Sequence, residues 1–472
     1  MDSTPTETIT LNTEGTSRGE EPARERRQRL EKQVLLTILA SVTFMAQGTT
    51  QTWPSPALYD LENNNQTLYS TTITLTPREK DMTGSLWFLG SLGGSWAAGW
   101  AASKCGRRRS IQLLALPNVL GWLLVALAPI PSLMLTGRFV LGVGSGAGTV
   151  CLTVYILEIA DTGVRGTLSV IPTLALIAGG QYALWLGTTL HWYHLSFVCT
   201  LPPLLLLGIY YILPDTPSYL FVCGRYGEAA ATLRKLRGRY ADIESEMEDM
   251  KRSNESYRKN SGYRELLKVK VLKRIAVVMI LFVFQQFCGN FVMIVYTARV
   301  LQAAGTPLGP DTASGIVMLA RVAGIIMAFC LLDRVGRRNC LAASHAINAA
   351  ALTLLGTYVF LNQHDEQQSP ETSLSWVPMV CVATALFGSD IGLHTVPFIL
   401  AGEYFPTNIR THATSVCMTW FTVMGFVVMQ LYTLMQEALT QAGLYWFYAG
   451  SSLLATGFTF LAVTETMGKS MG

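Results

Sequence analysis

Two ionisable residues stand where such residues are expensive. Arg321, in IVMLARVAGII, and Asp390, in LFGSDIGLH, each lie inside a long apolar stretch. An unpaired ion at the centre of a hydrocarbon layer costs about 3 kcal/mol or more, so each needs a partner or water. We expect the two to face one cavity and to pair; the alternative is that Arg321 is a structural prop inside a helix bundle. A second set of charges sits where apolar stretches end. Glu158 is followed seven residues later by Arg165, and Glu403 seven later by Arg410. That spacing is about two helical turns. Arg107 and Arg108 in CGRRRS, and Arg337 and Arg338 in VGRRNC with Asp333 just before them, supply partners for those carboxylates. The chemistry this suggests is ion pairing and hydrogen bonding. There is no nucleophile with a base, no phosphate-cradling loop and no Cys/His metal spacing, so neither a catalytic site nor a cofactor, metal or nucleic-acid partner is expected.

The elements that must hold these residues are membrane helices. Half of the 472 residues are hydrophobic, only 14% are charged, and the mean hydropathy is +0.33. Apolar residues come in blocks of about twenty, the length that crosses a hydrocarbon core as helix. The expected spans are about 34–53, 83–102, 110–129, 133–155, 167–188, 193–213, 274–301, 312–332, 340–361, 376–401, 412–435 and 443–463. The fold class is therefore all-α, a polytopic membrane protein of twelve helices in two bundles, 34–213 and 274–463, with the lipid bilayer as its solvent. Residues 1–33 read as a disordered polar tail, 54–82 as a polar loop, 214–273 as a linker with short amphipathic helices, and 464–472 as a tail. The first block lacks a cleavage site after it and reads as a retained helix.

Lys and Arg placement orients the chain. With both termini in the cytoplasm, only Arg78 and Lys80 of the 35 basic residues fall in outer loops; Arg299 and Arg321 fall inside spans, and the rest face inward. Asn65, in Asn65-Gln66-Thr67, is then an outward glycosylation acceptor.

Three signals recur at offsets of roughly 230 to 250 residues: the GRR knots, the Glu-to-Arg spacing, and PDTPSYL at 214 against TETMGKS at 464. A half-length repeat of six spans is the parallel duplication of one large transporter class. Glu–Arg pairs at the inner ends of the spans would then latch the two halves together and release them for rocking. The competing explanation for the arginines, topology alone, does not account for Glu158 and Glu403.

The chain resembles the sugar porters of the major facilitator superfamily, nearest in pattern to the insect facilitated trehalose and glucose transporters. The resemblance runs over about 34–470 and is carried by WPSPALYDL, GRFVLGVGSGAG, VYILEIADTGVRG, QQFCGN, LLDRVGRRN, IGLHTVPFILAGEYFP and ETMGKS. It implies alternating access around a central cavity that binds a neutral sugar through amides, hydroxyls and aromatic faces. Gln285 and Gln286 match the family's paired glutamines of the seventh span. Asn290 lies one residue before the family's Asn position, which here is Phe291; four after Gln286, it would share a helix face with it. Phe398 and Trp420 match aromatic positions of the tenth and eleventh spans, with a plain core role as the alternative. Asp390 falls at an acidic position of the sugar site and Arg321 near an Asn position. For Tyr296 the resemblance implies a place in an outer gate, with a plain packing role as the alternative. Thr173 replaces a fifth-span Gln, Ser103 an Asp and Asp161 a Pro; His394-Thr395 replaces a Gly-Pro at the tenth span's bend, and no Arg follows Trp192.

The implied function is uniport of a hexose or trehalose by a monomer in the plasma membrane. The first span has no acid, which speaks against proton coupling. Coupling through Asp390 and His394, i and i+4, is the alternative, and a non-transporting sugar sensor a second one.

Overall fold

The computed structural model describes residues 23–161, 164–209, 211–238, 242–259, 266–363, 375–405 and 409–466. Regular structure among them is helical, apart from one antiparallel bridge between Gln66 and Thr72. Helix satisfies every backbone polar group within the segment, which a hydrocarbon solvent demands.

The N-terminal half comprises α1 (Ala23–Thr52), α2 (Pro54–Asn63), α3 (Pro77–Cys105), α4 (Arg107–Ala126), α5 (Pro131–Ile159), the short α6 (Arg165–Leu168) leading into α7 (Val170–Gly187), and α8 (Trp192–Val198) with α9 (Leu201–Ile209). The linker carries α10 (Pro217–Val222), α11 (Tyr226–Arg237) and α12 (Ile243–Lys259). The C-terminal half comprises α13 (Val269–Phe287), α14 (Asn290–Val295), α15 (Thr297–Ala303), α16 (Pro310–Val335), α17 (Arg337–Gln363), α18 (Val377–Ile391), α19 (Val396–Glu403), α20 (Arg410–Gln430) and α21 (Tyr432–Ala462). Among the described residues, ten stretches are long and apolar enough to cross a membrane. The other two of the twelve crossings are α3, rich in Gly and Ser, and the part of α21 beyond its break at Thr440 (φ 64°).

The two GRR knots have one local cause. Each is a single-residue joint between antiparallel helices, made by Gly106 (φ +83°) between α3 and α4 and by Gly336 (φ +93°) between α16 and α17. An L side chain is strained at such φ. A Cβ at Gly336 would also lie 2.4 Å from the Glu465 carboxylate, which accepts from the backbone N–H groups of Arg337 and Arg338, both at 3.1 Å. That carboxylate thus caps the start of α17.

Three expectations need correction. Residues 23–33 are helical, not a disordered tail: Arg29 donates to the Arg237 carbonyl at 2.7 Å and Gln33 to that of Leu236 at 3.0 Å. Linker helix α11 thereby anchors a segment whose composition alone would not fold. The 54–82 loop also contains structure, because Ala57, Leu58 and Leu61 give α2 an apolar face that is buried. Finally, Arg138 does not face the basic end. It lies inside α5, 1% exposed, donating to the carbonyls of Thr83 (2.8 Å) and Thr50 (2.7 Å), its guanidinium 5.5 Å from the Trp53 ring.

Candidate functional site

Two crossings of the C-terminal half are interrupted at mid-depth, and the polar residues gather at the interruptions. α13 ends at Phe287, and Gly289 (φ +78°) turns the chain into α14. A Cβ there would sit 2.5 Å from the Tyr448 ring. The break overturns the helical argument that put Asn290 on one face with Gln286. Asn290 and Gln285 converge instead on His394: Gln285 Nε2 donates to the His394 carbonyl at 3.2 Å, and Asn290 Nδ2 lies 3.4 Å from His394 Nδ1. The second interruption, residues 392–395 between α18 and α19, places His394 in turns, so Asp390 and His394 do not share a continuous helix face as i, i+4 neighbours.

Arg321 of α16 and Asp390 of α18 form a two-point ion pair. Arg321 Nε lies 2.8 Å from Oδ2 and Nη2 3.2 Å from Oδ1, with the residues 3% and 1% exposed. This fork geometry meets the requirement that buried charges be paired. On α13, Gln285 and Gln286 are fully buried, and among the described residues Gln285 Oε1 and both amide atoms of Gln286 have no protein partner. A buried polar atom left unsatisfied costs about 1–3 kcal/mol. Such atoms mark a place for water or a polar ligand.

Aromatic rings stand beside this cluster. Phe291 lies 5.6 Å from His394, and Phe398 packs against Phe282 and Phe421, each at 5.1 Å. The Trp420 indole N–H is spent on the Met279 carbonyl at 3.1 Å, and its ring packs in the core of the C-terminal half. Thr173 is half-buried on α7, with no described hydrogen bond to the cluster. The N-terminal half contributes Gln51 and Gln181, which line a small cavity with Arg321; both amide atoms of Gln181 are buried without a protein partner among the described residues. Gln181 was missed because an isolated Gln in an apolar block carries no spacing signal.

The ion pairs described at the basic end lie within one half or between a half and the linker, not between the halves. Arg107 pairs with Glu158 (2.8 Å) within the N-terminal half, and Arg108 with Asp215 (3.8 Å) at the start of the linker that follows it. Arg337 pairs with Glu403 (3.5 Å) within the C-terminal half, Arg338 donates to the Phe460 carbonyl, and Arg410 Nε donates to the Phe405 carbonyl at 3.1 Å. The side chains of Arg165 and Asp333 lie outside the described residues. These contacts brace each half, because the GRR loops sit beside the ends of helices in their own bundle. The halves meet toward the opposite end. There Glu62 lies 2.9 Å from Arg299 and also 2.7 Å from Lys80 of its own half. Asp81 accepts from Thr433 N–H (3.2 Å) and Oγ1–H (2.9 Å), and Ser55 Oγ accepts from Ala298 N–H at 3.0 Å. Tyr296 stacks on Tyr432 at 4.6 Å and donates to the Lys80 carbonyl at 3.4 Å. Deeper in, Ser85 bonds Gln430 at 2.9 Å, Phe88 meets Phe291 at 5.3 Å, and Trp96 reaches Thr419 at 3.3 Å.

Residues 49–472 match the family model described as sugar (and other) transporter. The chain belongs to that family. Relatives include the facilitated trehalose transporters Tret1 of Drosophila pseudoobscura pseudoobscura, 29% identical over 93% of this chain and 50% of that protein, and of Polypedilum vanderplanki, 28% identical over 93% and 86%. The chain thus spans about half the length of most of these curated relatives. Among solved structures, the inward-open xylose transporter XylE of E. coli superposes with a TM-score of 0.75 at 20% identity, covering 93% of this chain and 97% of XylE. The proton:xylose symporter XylE bound to 6-bromo-6-deoxy-D-glucose gives 0.72 at 21%, covering 94% and 98%. This sugar-transporter family member is a multi-pass membrane protein with the twelve-helix major facilitator fold.

Proposed function

We propose that the chain is a facilitative uniporter of a neutral sugar, a hexose or trehalose, working by alternating access between its two halves. The observation that carries this reading is a set of buried, unsatisfied amides: Gln285, which bonds the His394 carbonyl, its neighbour Gln286, and Gln181, which lines a cavity with Arg321 of the Arg321–Asp390 pair. A sugar offers many donors and acceptors and no net charge. Amides can both donate and accept, and the Arg–Asp pair presents no net charge. Asn290 and the Phe398 ring complete the wall; Trp420 supports it through packing.

Uniport is favoured because Asp390 is already held by a guanidinium at two points, so a proton on its carboxylate would compete with that pair. In our reading the basic end faces the cytoplasm with both termini, the protein acts as a plasma-membrane monomer, and Asn65 is glycosylated on the outer side. With the halves joined at the end opposite the GRR loops, the conformation corresponds to a cavity open inward. The test is uptake of labelled trehalose, glucose and xylose into vesicles, with and without an imposed pH gradient. Saturable entry that stops at equal concentrations supports uniport. Accumulation driven by the proton gradient overturns uniport, and no saturable uptake of any sugar overturns the transport reading.

A further inference from the structure

We propose, resting on the transport reading above, that Ser344 and Asn348 of α17 are positioning residues for sugar binding. They tie the two mid-depth helix breaks to one helix and so fix Gln285 and His394 relative to each other, without touching sugar themselves.

A helix break inside a hydrocarbon layer frees backbone groups that neighbouring side chains must then satisfy. At the first break, between α13 and α14, an unbroken helix would have the Cys288 carbonyl accept from the N–H of Val292. Here α14 starts afresh, with Met293 N–H donating to the Gly289 carbonyl at 2.9 Å. The Cys288 carbonyl accepts instead from Asn348 Nδ2 at 3.1 Å. The same amide nitrogen donates to Ser452 Oγ at 2.9 Å, which fixes its direction. At the second break, between α18 and α19, the Ser389 carbonyl accepts from His394 N–H at 2.8 Å, one residue beyond its helical partner. That helical partner, Leu393 N–H, donates to Ser344 Oγ at 2.8 Å, and the Ser344 hydroxyl donates to the Gly388 carbonyl. Ser344 and Asn348 are 0% and 2% exposed. Four residues apart, they share one face of α17. The second break is pressed against the backbone of that helix: a Cβ at Gly392 would lie 2.6 Å from the Cys340 carbonyl oxygen.

These contacts close a circuit. It runs from α17 through Asn348 to Cys288, and along α13 to Gln285. The Gln285 amide then reaches the His394 carbonyl at 3.2 Å, and the adjacent Leu393 returns through Ser344 to α17. Links in a circuit act in series. Losing either bond to α17 opens it, and losing the second then removes little more. Two independent bonds would instead add their effects. Gln285 and His394 sit on separate broken crossings, so their spacing is only as fixed as this circuit.

The experiment measures initial uptake rates of whichever of labelled trehalose, glucose and xylose the wild type carries. Vesicles contain wild type, Ser344→Ala, Asn348→Leu, the double variant or Ser344→Thr. Leucine has the branched shape of asparagine and cannot hydrogen-bond. Each of Ser344→Ala and Asn348→Leu should raise KM about three- to tenfold, the range of one neutral hydrogen bond, with kcat little changed. The double variant should raise KM by about the same factor as the larger single change, not by the product of the two. Ser344→Thr keeps the hydroxyl and should restore most of what Ser344→Ala loses. A merely structural role would lower the amount of folded protein and its melting temperature while leaving the KM of the remainder unchanged. Unchanged KM in both single variants, or a double variant at the product, overturns the proposal. Should Ser344→Ala or Asn348→Leu not reach the membrane, Ser344→Cys, a weaker donor, and Asn348→Ser, a shorter one, take their places under the same product rule. If the wild type carries no sugar, the transport reading itself has failed. If the wild type transports and the variants share its KM, only the positioning role is lost.

Discussion

Glu62 carries an ion pair between the halves, and its removal has a calculable effect. Glu62 Oε1 lies 2.9 Å from Arg299 Nη2, and the two side chains are each 27% exposed. Fully exposed pairs are worth about 0.2–1 kcal/mol, and hydrogen bonds to charged groups about 1.5–3 kcal/mol. A pair one-quarter exposed falls between, at about 1 kcal/mol. The Lys80 contact does not count toward closure, since Lys80 and Glu62 belong to one half. Glu62→Gln should therefore lower the ratio of conformations closed at this end to those open there by about fivefold. Spin or fluorescent labels at Asn63→Cys and Gln302→Cys, in a variant lacking the native cysteines, would report the distance across the gap. Arg299→Gln should produce the same shift, and the double variant should add little to either single one. Because the pair is partly exposed, raising salt should shrink the wild-type advantage. Unchanged populations in Glu62→Gln, or strict additivity in the double variant, would refute the assignment of the pair as a closure contact.

Asp390→Asn strands the Arg321 guanidinium in a buried site and should cost about 3–5 kcal/mol, seen as a lower melting temperature in detergent. Arg321→Met combined with Asp390→Leu should recover much of that loss in stability while abolishing transport. Gly289→Ala places a Cβ at φ +78° and 2.5 Å from Tyr448, so stability should fall by about 1–3 kcal/mol in the same melting assay. Asn65→Gln should remove a glycan-dependent mobility shift on gels of membrane-expressed protein, and an unshifted wild type would place Asn65 on the unglycosylated side.

The twelve crossings, the six-and-six division and the duplicated GRR knots were legible because each follows from a local cause. A hydrocarbon core selects blocks of about twenty apolar residues, and a one-residue joint between antiparallel helices selects glycine. The pairing of Arg321 with Asp390 was also legible, since a buried charge has few acceptable fates. Other features were not. Nothing in QQFCGN states that α13 breaks at Gly289, because glycine also occurs within membrane helices; the Tyr448 ring decides it. Glu158 and Glu403 find arginines in their own halves, whereas Glu62, in a stretch read as loop, bridges the two. Gln181 meets Arg321 only because α7 and α16 are brought together across the seam. Sequence determined what each segment must be, since helix and hydrocarbon act over a few turns. Tertiary structure decided which polar groups meet, since that depends on how two rigid bundles are placed against each other.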